Sequence, residues 1–422
     1  MEGPTPTHRG SLKSLNLWQK ERRLKALEGV RKRRSDARDA ELALRRGEPA
    51  GRPEEPRADA DVGSESSEAA RRDGEAGANP DQEMRERKKA GLRARHRKKF
   101  ASQLTIMEWL IDVPDDLYTN WYVLPRPEGP RCLLIAQNGI TTSRYKNGNL
   151  HKKFESSLPN GSTETGTSSA KCVLDAVFHA PLKTFFVTDC MVWEDYSLVD
   201  CDFEFRRYWL NQKMSALADG EASPAAASAS SGGFTVAVIP AEVSTRETLL
   251  RAYGEAFGYT KDGLVFVHKD SSYTQGEITP LCLQWKDGSC SRYPIDTDKQ
   301  GKVLEAQAVV LRLGEDGRTL WTDDSPPLAL GAIPAAFAGQ NQETLRPGQL
   351  FKFALGPGGL RLAEDGRPEG ANLVLRGLAH NRASADTVSR ILFQHLARSE
   401  KNALGSLLGG AQDLGMTIGM ES

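Results

Sequence analysis

Two octapeptides decide the predicted fold: KDGLVFVH at Lys261–His268 and TPLCLQWK at Thr279–Lys286. Each begins at turn-forming residues and continues as a run of apolar, β-branched or aromatic residues, which predicts a strand. Upstream, Thr184–Asp189 (TFFVTD) is another strand-like run, and Arg131–Thr141 (RCLLIAQNGIT) predicts a strand that enters a turn containing glycine. Each segment alone is commonplace, but their order along the chain is specific.

Similar patterns elsewhere predict an α+β fold with mostly antiparallel sheets. Further strands are predicted at Trp121–Leu124, Cys172–Phe178, Val303–Leu313 and Gln349–Leu355. Two apolar segments predict helices: Phe100–Leu110, which would end before Pro114, and Ala385–Ala397. The Ala/Ser/Gly-rich tract Met214–Gly233 has no periodicity and is expected to be a surface insertion.

The amino-terminal region predicts a long basic helix over residues 8–46. Lys and Arg outnumber Asp and Glu more than twofold in this proline-free segment. Its apolar residues Leu17, Leu24, Leu27 and Val30 form only a thin stripe. A helix of this kind has no apolar face wide enough to bury in a core.

Bulk properties exclude several classes of protein. Lys+Arg and Asp+Glu both number 56 in the 422 residues, so the formal net charge is zero although individual segments are strongly charged. The sequence has no long apolar run and no secretory signal at its start, so we expect a soluble intracellular protein. None of the six cysteines forms a CxxC pair, so neither a zinc site nor a disulfide framework is expected, and the sequence calls for no cofactor.

The ordered motifs resemble those of covalent nucleotidyl transferases, the capping guanylyltransferases and ATP-dependent ligases. The resemblance implies a first motif Lys-x-Asp-Gly, whose lysine attacks the α-phosphate of a nucleotide. The matching tetrapeptide here is Ala136-Gln137-Asn138-Gly139. Without an amine at Ala136 there is no nucleophile for a covalent intermediate, so we expect a protein that binds and is not an enzyme.

The resemblance narrows to one family, the snurportins, import adaptors for spliceosomal small nuclear ribonucleoproteins. It is carried by Gln103–Leu117 (QLTIMEWLIDVPDDL), Phe154–Gly161 (FESSLPNG), Val192-Trp193 and Asp202–Trp209 (DFEFRRYW). These segments place the likeness over roughly residues 100 to 290. The resemblance implies binding of the trimethylguanosine cap of small nuclear RNAs.

Several cap-binding residues are implied by this resemblance. Trp285 matches the family's stacking tryptophan, with one extra residue between it and Pro280. An indole suits a positively charged methylated purine through stacking and cation–π attraction. Trp109, Ile106 and Met107 match the segment that lines the pocket, and ordinary core packing is the alternative. Candidates for the triphosphate are Lys153, Lys146 and Arg144, with a hairpin bearing solvated charges as the alternative.

The basic segment resembles the importin-β-binding region of the same family. The residues implied to contact importin-β are all cationic: Arg22, Arg23, Lys25, Arg31, Lys32, Arg33, Arg34 and Arg38. Family members also carry an amino-terminal extension with spaced hydrophobic residues for the nuclear export receptor, and this chain opens without that pattern. We expect no membrane partner, and shuttling between nucleus and cytoplasm.

Together these features predict five segments. They are an importin-β-binding helix (8–46), a disordered linker (47–84), a cap-binding domain (95–300), a β-rich extension with a final helix (301–400) and a flexible tail (401–422). This extension is either an OB-type domain or a β-rich extension that binds no ligand. Two rival functions remain at this stage: a capping or ligase-type enzyme with a displaced lysine, such as Lys146 or Lys171, and a general RNA-binding protein that uses Arg85–Lys99.

Overall fold

The computed structural model describes residues 11–45, 91–164, 170–220, 233–298, 300–341, 343–363, 367–379 and 384–398. The predicted linker (47–84) and tail (401–422) lie outside the described residues, as do residues 221–232 of the predicted insertion. In the described part of the chain, no helix is both long and apolar enough to cross a membrane.

Three sheets organise the described residues. The first sheet contains β1 (Ile106–Trp109), β2 (Trp121–Pro127), β10 (Glu242–Val243), β11 (Lys261–His268) and β12 (Ile278–Trp285), in the order β1-β12-β11-β2-β10. The second sheet contains β3 (Arg131–Gln137), β4 (Ile140–Tyr145), β5 (Leu150–Phe154), β6 (Cys172–His179), β7 (Thr184–Trp193) and β8 (Tyr196–Ser197), in the order β5-β4-β3-β6-β7-β8, with β9 (Thr235–Val238) also paired to β7.

The third sheet lies in the carboxyl-terminal part of the chain. It contains β13 (Ala308–Leu313), β14 (Thr319–Trp321), β15 (Ala329–Ala332), β16 (Leu350–Leu362) and β17 (Pro368–Leu378), in the order β15-β14-β13-β16-β17. The helices are α1 (Ser11–Arg45), α2 (residues 91–100), α3 (Leu117–Asn120), α4 (Phe203–Gly220), α5 (Arg246–Gly254), α6 (Ala335–Gln340) and α7 (Val388–Arg398).

The strand pairings confirm the predicted α+β class with mostly antiparallel sheets. Among the described strands only β1–β12 and β7–β9 pair in parallel. Every strand predicted before residue 300 coincides with an observed strand, because alternating and apolar runs bounded by turn residues are direct signals of sheet. The helix predicted at Ala385–Ala397 is observed as α7.

Two local predictions are wrong. The helix predicted over Phe100–Leu110 ends at Phe100, and Ile106–Trp109 instead forms β1 beside β12. A short apolar run does not by itself distinguish helix from strand, and here tertiary pairing decided. The tract predicted as an insertion is helical as far as Gly220, because α4 continues through its first residues.

The first and second sheets face each other, and the amino-terminal end of α4 closes one side of the space between them. Phe203 of α4 packs with Leu124, Val265 and Val267 of the first sheet. The third sheet has its own core around Phe351 and its neighbours. This arrangement leaves a cavity between the first two sheets.

Candidate functional site

A cavity lies between the first and second sheets. The first sheet and the residue preceding it contribute Thr105, Met107, Leu124, Arg126, Val265, Val267, Thr279 and Cys282. The second sheet, α4 and a nearby loop contribute Arg131, Asp175, Val177, Thr188, Asp189, Phe203, Arg206, Ser271, Ser272 and Tyr273.

One side of the cavity is charged and held by two arginine–aspartate pairs. Arg131 on β3 forms an ion pair with Asp175 on β6, which also accepts a 2.8 Å hydrogen bond from the Tyr273 hydroxyl. Arg206 on α4 donates from Nε and Nη2 to the two carboxylate oxygens of Asp189, both at 2.8 Å. Bidentate geometry keeps these charges rigid and paired where water is excluded.

The pKa values of these groups follow from burial and pairing. Burial acts to lower the pKa of Arg131 and of Arg206, but the aspartate partners outweigh burial and leave both pKa values raised. Burial is also the main reason that the pKa of Tyr273 lies well above its usual value, and it raises the pKa of the Cys282 thiol to about 12. Both arginines are therefore charged and Cys282 is a neutral thiol at neutral pH.

The opposite side of the cavity is apolar. Met107, Leu124 and Val265 line it from the first sheet, and Phe203 lies across one end. A flat ligand with methyl groups could pack against this wall while its polar edge faces the arginine–aspartate pairs. An unmethylated exocyclic amine would find no acceptors on the apolar wall and would lose hydrogen bonds on entry.

The structure does not bring Trp285 to this cavity. Its side chain is 2% exposed and packs with Trp121, Leu283 and Phe393 on the far side of the first sheet. Neighbouring residues of a strand point to opposite faces, and Trp285 lies on the core face of β12 together with Leu283. A stacking role for Trp285 would require this side chain to leave the core.

Trp109 lies in the same core cluster. Its ring lies 4.3 Å, centroid to centroid, from the Phe393 ring of α7, with the cationic groups of Lys286 and Arg390 at 5.8 and 5.9 Å from the indole. An irregularity in the pairing of β1 with β12 falls between Met107 and Glu108, so residues before and after it need not alternate as in a regular strand. The indole therefore anchors α7 in this structure.

The other predicted pocket residues lie closer to the cavity. Met107 lines the cavity itself. Ile106 lines an open groove next to it, and Lys146 lines the same groove from the turn between β4 and β5. Ile106 and Met107, before the β1 irregularity, thus reach the groove and the cavity, whereas Trp109, after it, lies in the core.

The remaining phosphate candidates diverge. Lys153 is exposed on β5 and does not line the cavity. The guanidinium of Arg144 lies 4.4 Å from the centre of the Phe100 ring and donates a 3.1 Å hydrogen bond to the carbonyl of Gly148. In this structure Arg144 therefore positions α2 beside the β4–β5 turn.

Helix α1 packs against the edge of the first sheet through polar contacts. The Gln19 amide donates to the Glu108 carboxylate at 3.0 Å and to the Trp109 carbonyl at 2.9 Å, and its oxygen accepts from the Asp112 N–H at 3.0 Å. Arg23 pairs with Asp112 at 2.5 Å. Gln19 thus satisfies backbone and side-chain groups at the end of edge strand β1.

Acidic residues of two sheets hold the same helix. Arg22 lies 2.7 Å from Glu108 and 3.9 Å from Asp324, which belongs to the carboxyl-terminal part. Burial raises the pKa of Glu108 and of Asp324. Although α1 has no wide apolar face, Gln19 and Arg23 are buried, because complementary polar groups of the folded part surround them.

This packing divides the predicted importin-β-binding residues into two groups. Arg23 is buried, and Arg22 and Arg34 are partly buried against acidic or carbonyl groups. The other five are exposed: Lys25, Arg31, Lys32, Arg33 and Arg38. In this structure Arg22, Arg23 and Arg34 face the folded part of the chain and the other five residues face solvent.

Sequence analysis missed the charged side of the cavity. Arg131, Asp175, Asp189 and Arg206 lie within segments that were quoted only for their strand or family patterns. Charged residues inside otherwise apolar strands, such as Asp175 in CVLDAVFH, are rarely buried without a partner. That signal could have marked the cavity, but the pairing of the residues depends on the tertiary fold.

The described residues contain no group of three or more His, Cys, Asp or Glu side chains arranged to hold a metal ion. The described cysteines are all free thiols, most of them buried.

Comparisons with known proteins find a family model that matches the central region. Residues 103–286 match the family model described as Snurportin1, m3G cap-binding domain. Among solved structures, the chain is similar to the ligase domain from M. tuberculosis LigD, with 11% identity, 69% of this chain and 98% of that chain covered, and a TM-score of 0.31. It is also similar to the Chlorella virus DNA ligase-adenylate, with 10% identity, 66% and 99% coverage, and a TM-score of 0.26. The family match includes β1 to β12 and the cavity between them, so residues 103–286 are similar to the snurportin m3G cap-binding domain.

Proposed function

We propose that this protein is a nuclear import adaptor that binds the trimethylguanosine cap of spliceosomal small nuclear RNAs and links them to importin-β. The observation that carries the proposal is the family match over residues 103–286, which include the strands on both sides of the enclosed cavity. The protein would bind capped small nuclear ribonucleoproteins and shuttle between cytoplasm and nucleus.

The cavity suits a methylated purine for two reasons. Its apolar wall, which includes Met107 and Phe203, accommodates methyl groups on the exocyclic amine. Its opposite side presents the Arg131–Asp175 and Arg206–Asp189 pairs, whose polar atoms could face the polar edge of the purine. The triphosphate would leave toward Arg131, which lies where the cavity meets a basic groove.

The basic face of α1 would serve importin-β. Lys25, Arg31 and Lys32 are exposed in the docked helix and are accessible to an acidic receptor surface. Full engagement of Arg22 and Arg23 would require α1 to leave Glu108 and Asp112. The receptor would then wrap a helix that the rest of the chain has released.

The proposal treats the cavity as a binding site without covalent chemistry. Position 136, which matches the nucleophilic lysine of nucleotidyl transferases, is a fully buried alanine packed with Leu134, Phe154 and Leu174. Among the described residues that line the cavity there is no lysine or histidine, and Cys282 is a neutral thiol. These features favour an adaptor over a capping or ligase-type enzyme.

Fluorescence titration of the full chain with trimethylguanosine and monomethylguanosine cap dinucleotides tests the binding step. We expect tighter binding of the trimethylated cap and loss of this binding in Thr188→Phe, which places a large ring at the cavity wall. Thr344→Phe introduces the same ring at an exposed site away from the cavity and should leave binding unchanged.

Three outcomes would contradict the proposal. Equal affinity for both caps would remove the trimethylguanosine specificity, and unchanged binding in Thr188→Phe would place the site elsewhere. A covalent nucleotidyl adduct after incubation with GTP or ATP would favour the enzyme. Pull-down of importin-β by the wild type but not by a variant with Lys25, Arg31 and Lys32 changed to Glu tests the receptor step separately.

A further inference from the structure

A basic groove leads away from the cavity along the surface. Its cationic lining consists of Arg97 and Lys98 on α2, Arg131 on β3, Lys146 after β4 and Arg312 on β13. The groove is open to solvent along the surface. Its walls come from three separate parts of the chain, and the set of five residues is called the basic groove below.

The basic groove adjoins the cavity at Arg131, which lines both spaces. Thr105 lines the cavity, and the next residue, Ile106, lines the groove. A polymer whose end occupies the cavity and which leaves beside Arg131 therefore enters the basic groove directly.

Helix α2 is held in place beside the groove by specific contacts. The Phe100 ring at its end packs among Leu104 and Leu133 and lies under the Arg144 guanidinium. Gly148 in the β4–β5 turn approaches the carbonyl of Arg97 so closely that a Cβ atom would lie 2.0 Å from the carbonyl oxygen, and its φ is +78°. Glycine at this position lets the turn meet the helix.

We propose that the basic groove binds the phosphate backbone of the RNA nucleotides that follow the cap. This inference rests on the proposed cap-binding function and extends it from the cap to the RNA chain. Arg97 and Lys98 belong to an exposed helix, so their charges face solvent. Of the groove cations, Arg131 and Arg312 pair with Asp175 and Asp323, so Arg97 and Lys98 on α2 supply the main attraction.

Phosphate contacts of this kind add affinity that depends on salt and not on sequence. The groove should therefore bind single-stranded RNA of any sequence and should distinguish long capped RNA from the cap alone. It should contribute nothing to discrimination between trimethylated and monomethylated caps, which belongs to the cavity.

The test compares a trimethylguanosine-capped dinucleotide with a capped RNA of about ten nucleotides, a usual length for a single-strand site. Binding to the full chain is followed by fluorescence anisotropy over a range of salt concentrations. We expect the wild type to bind the longer RNA more tightly. The variant Arg97→Glu/Lys98→Glu should lose this gain, with the slope of log affinity against log salt reduced by about 1.4 for two lost contacts.

Two further variants test separately the effect of the charge change and the effect of the position of α2. Lys183→Glu/Arg361→Glu makes the same charge change at exposed sites outside the groove and should keep the gain from RNA length. Gly148→Ala displaces α2 without changing any charge and should reduce the gain while leaving dinucleotide binding intact. A gain that survives both Arg97→Glu/Lys98→Glu and Gly148→Ala would overturn the inference.

Failure of the inference is distinguishable from failure of the proposed function. If capped dinucleotides do not bind at all, the cap-binding proposal fails, and an uncapped RNA of the same length still tests the groove through the same variants. If the dinucleotide binds and the longer RNA binds no more tightly, the groove inference alone is wrong. Competition by a polyglutamate peptide without any gain from RNA length would assign the groove to an acidic protein segment and would also overturn it.

Discussion

At the scale of single residues, the position of Trp285 decides between two roles for its indole, contact with a ligand and packing in the core. The ring is buried with Trp121 and Phe393, while Cys282, three residues earlier on the same strand, faces the cavity. Truncation of a large buried aromatic residue costs about 3–5 kcal/mol because a void remains. The indole therefore contributes to stability in this structure, and ligand contact falls to residues on the other face of β12.

We predict that Trp285→Ala lowers the free energy of unfolding by about 3–5 kcal/mol, measured by urea denaturation. Trp285→Phe should restore most of that loss, and it should retain selectivity for the trimethylated cap because the cavity lining is unchanged. Selective loss of cap binding in a fully stable Trp285→Phe variant would show that the indole reaches the ligand.

A second prediction at this scale concerns acid stability. The Asp116 carboxylate accepts hydrogen bonds from the Trp121 indole at 2.9 Å and from Asn120 at 3.0 Å, and it lies 3.5 Å from the buried His268 ring. The pKa of Asp116 is lowered, chiefly by its hydrogen bond with His268. Its contribution is therefore present above the unfolded-state pKa of about 3.9 and is lost as pH falls toward the folded-state pKa.

Asp116→Asn should remove this part of the pH dependence. In the wild type we expect stability to fall as the pH drops from about 4 toward 2, because the unfolded chain binds the proton more readily. The variant should be less stable at neutral pH and should show a shallower loss over that range, measured by denaturation at successive pH values. Equal slopes in the two proteins would contradict the assignment.

At the scale of elements, α1 is held by buried polar groups together with a few apolar contacts, such as Trp18 against Val388 and Leu392. Gln19 and Arg23 are buried against β1 and the segment after it, while Leu17 and Leu24 face solvent. The helix therefore has two alternative sets of partners: acidic groups of its own chain and, in the proposed function, those of importin-β. Competition between them would weaken receptor binding by the free energy of docking.

We predict that Gln19→Ala weakens the docking of α1, because several buried polar groups lose their partner at a cost of about 1–3 kcal/mol. Hydrogen exchange in α1 should accelerate, and affinity for importin-β should rise by up to about tenfold for each 1.4 kcal/mol of docking lost. Glu21→Ala changes a neighbouring exposed residue and serves as the control. Faster exchange without tighter receptor binding would rule out competition.

At the scale of the whole molecule, the carboxyl-terminal part completes the core of the first sheet. The Phe393 ring of α7 contacts Trp109, and the Trp109 N–H donates a 3.2 Å hydrogen bond to the Ser389 hydroxyl. Arg390 pairs with Asp296 at 2.6 Å. The predicted boundary at residue 300 thus separates elements that share packing in this structure.

We therefore predict that residues 95–300 expressed alone are less stable than the same region within the full chain. Phe393→Ala in the full chain should lower the free energy of unfolding by about 3–5 kcal/mol. Leu378→Ala, at a residue that is 42% exposed, should have little effect. Calorimetric transitions of equal midpoint for residues 95–300 and the full chain would show that α7 is dispensable.

Local sequence patterns determined most of the secondary structure and the fold class. Runs such as LVFV in β11 and LLIA in β3 predict strands because β-branched and aliphatic residues suit a pleated, buried surface. The basic character of α1 and the absence of a lysine at Ala136 are also properties of the sequence alone. These two properties carry the family resemblance and the expectation that the protein does not catalyse nucleotidyl transfer.

Only the tertiary structure decided which residues meet. The segment Ile106–Trp109 forms a strand because β12 offers a partner, and Trp285 lies on the face of β12 that packs in the core. The pairing of Arg131 with Asp175 depends on strand register, as does the route from the cavity to the basic groove. Propensity is a local property, whereas the face that a strand residue presents depends on the partner strands and on each irregularity between them.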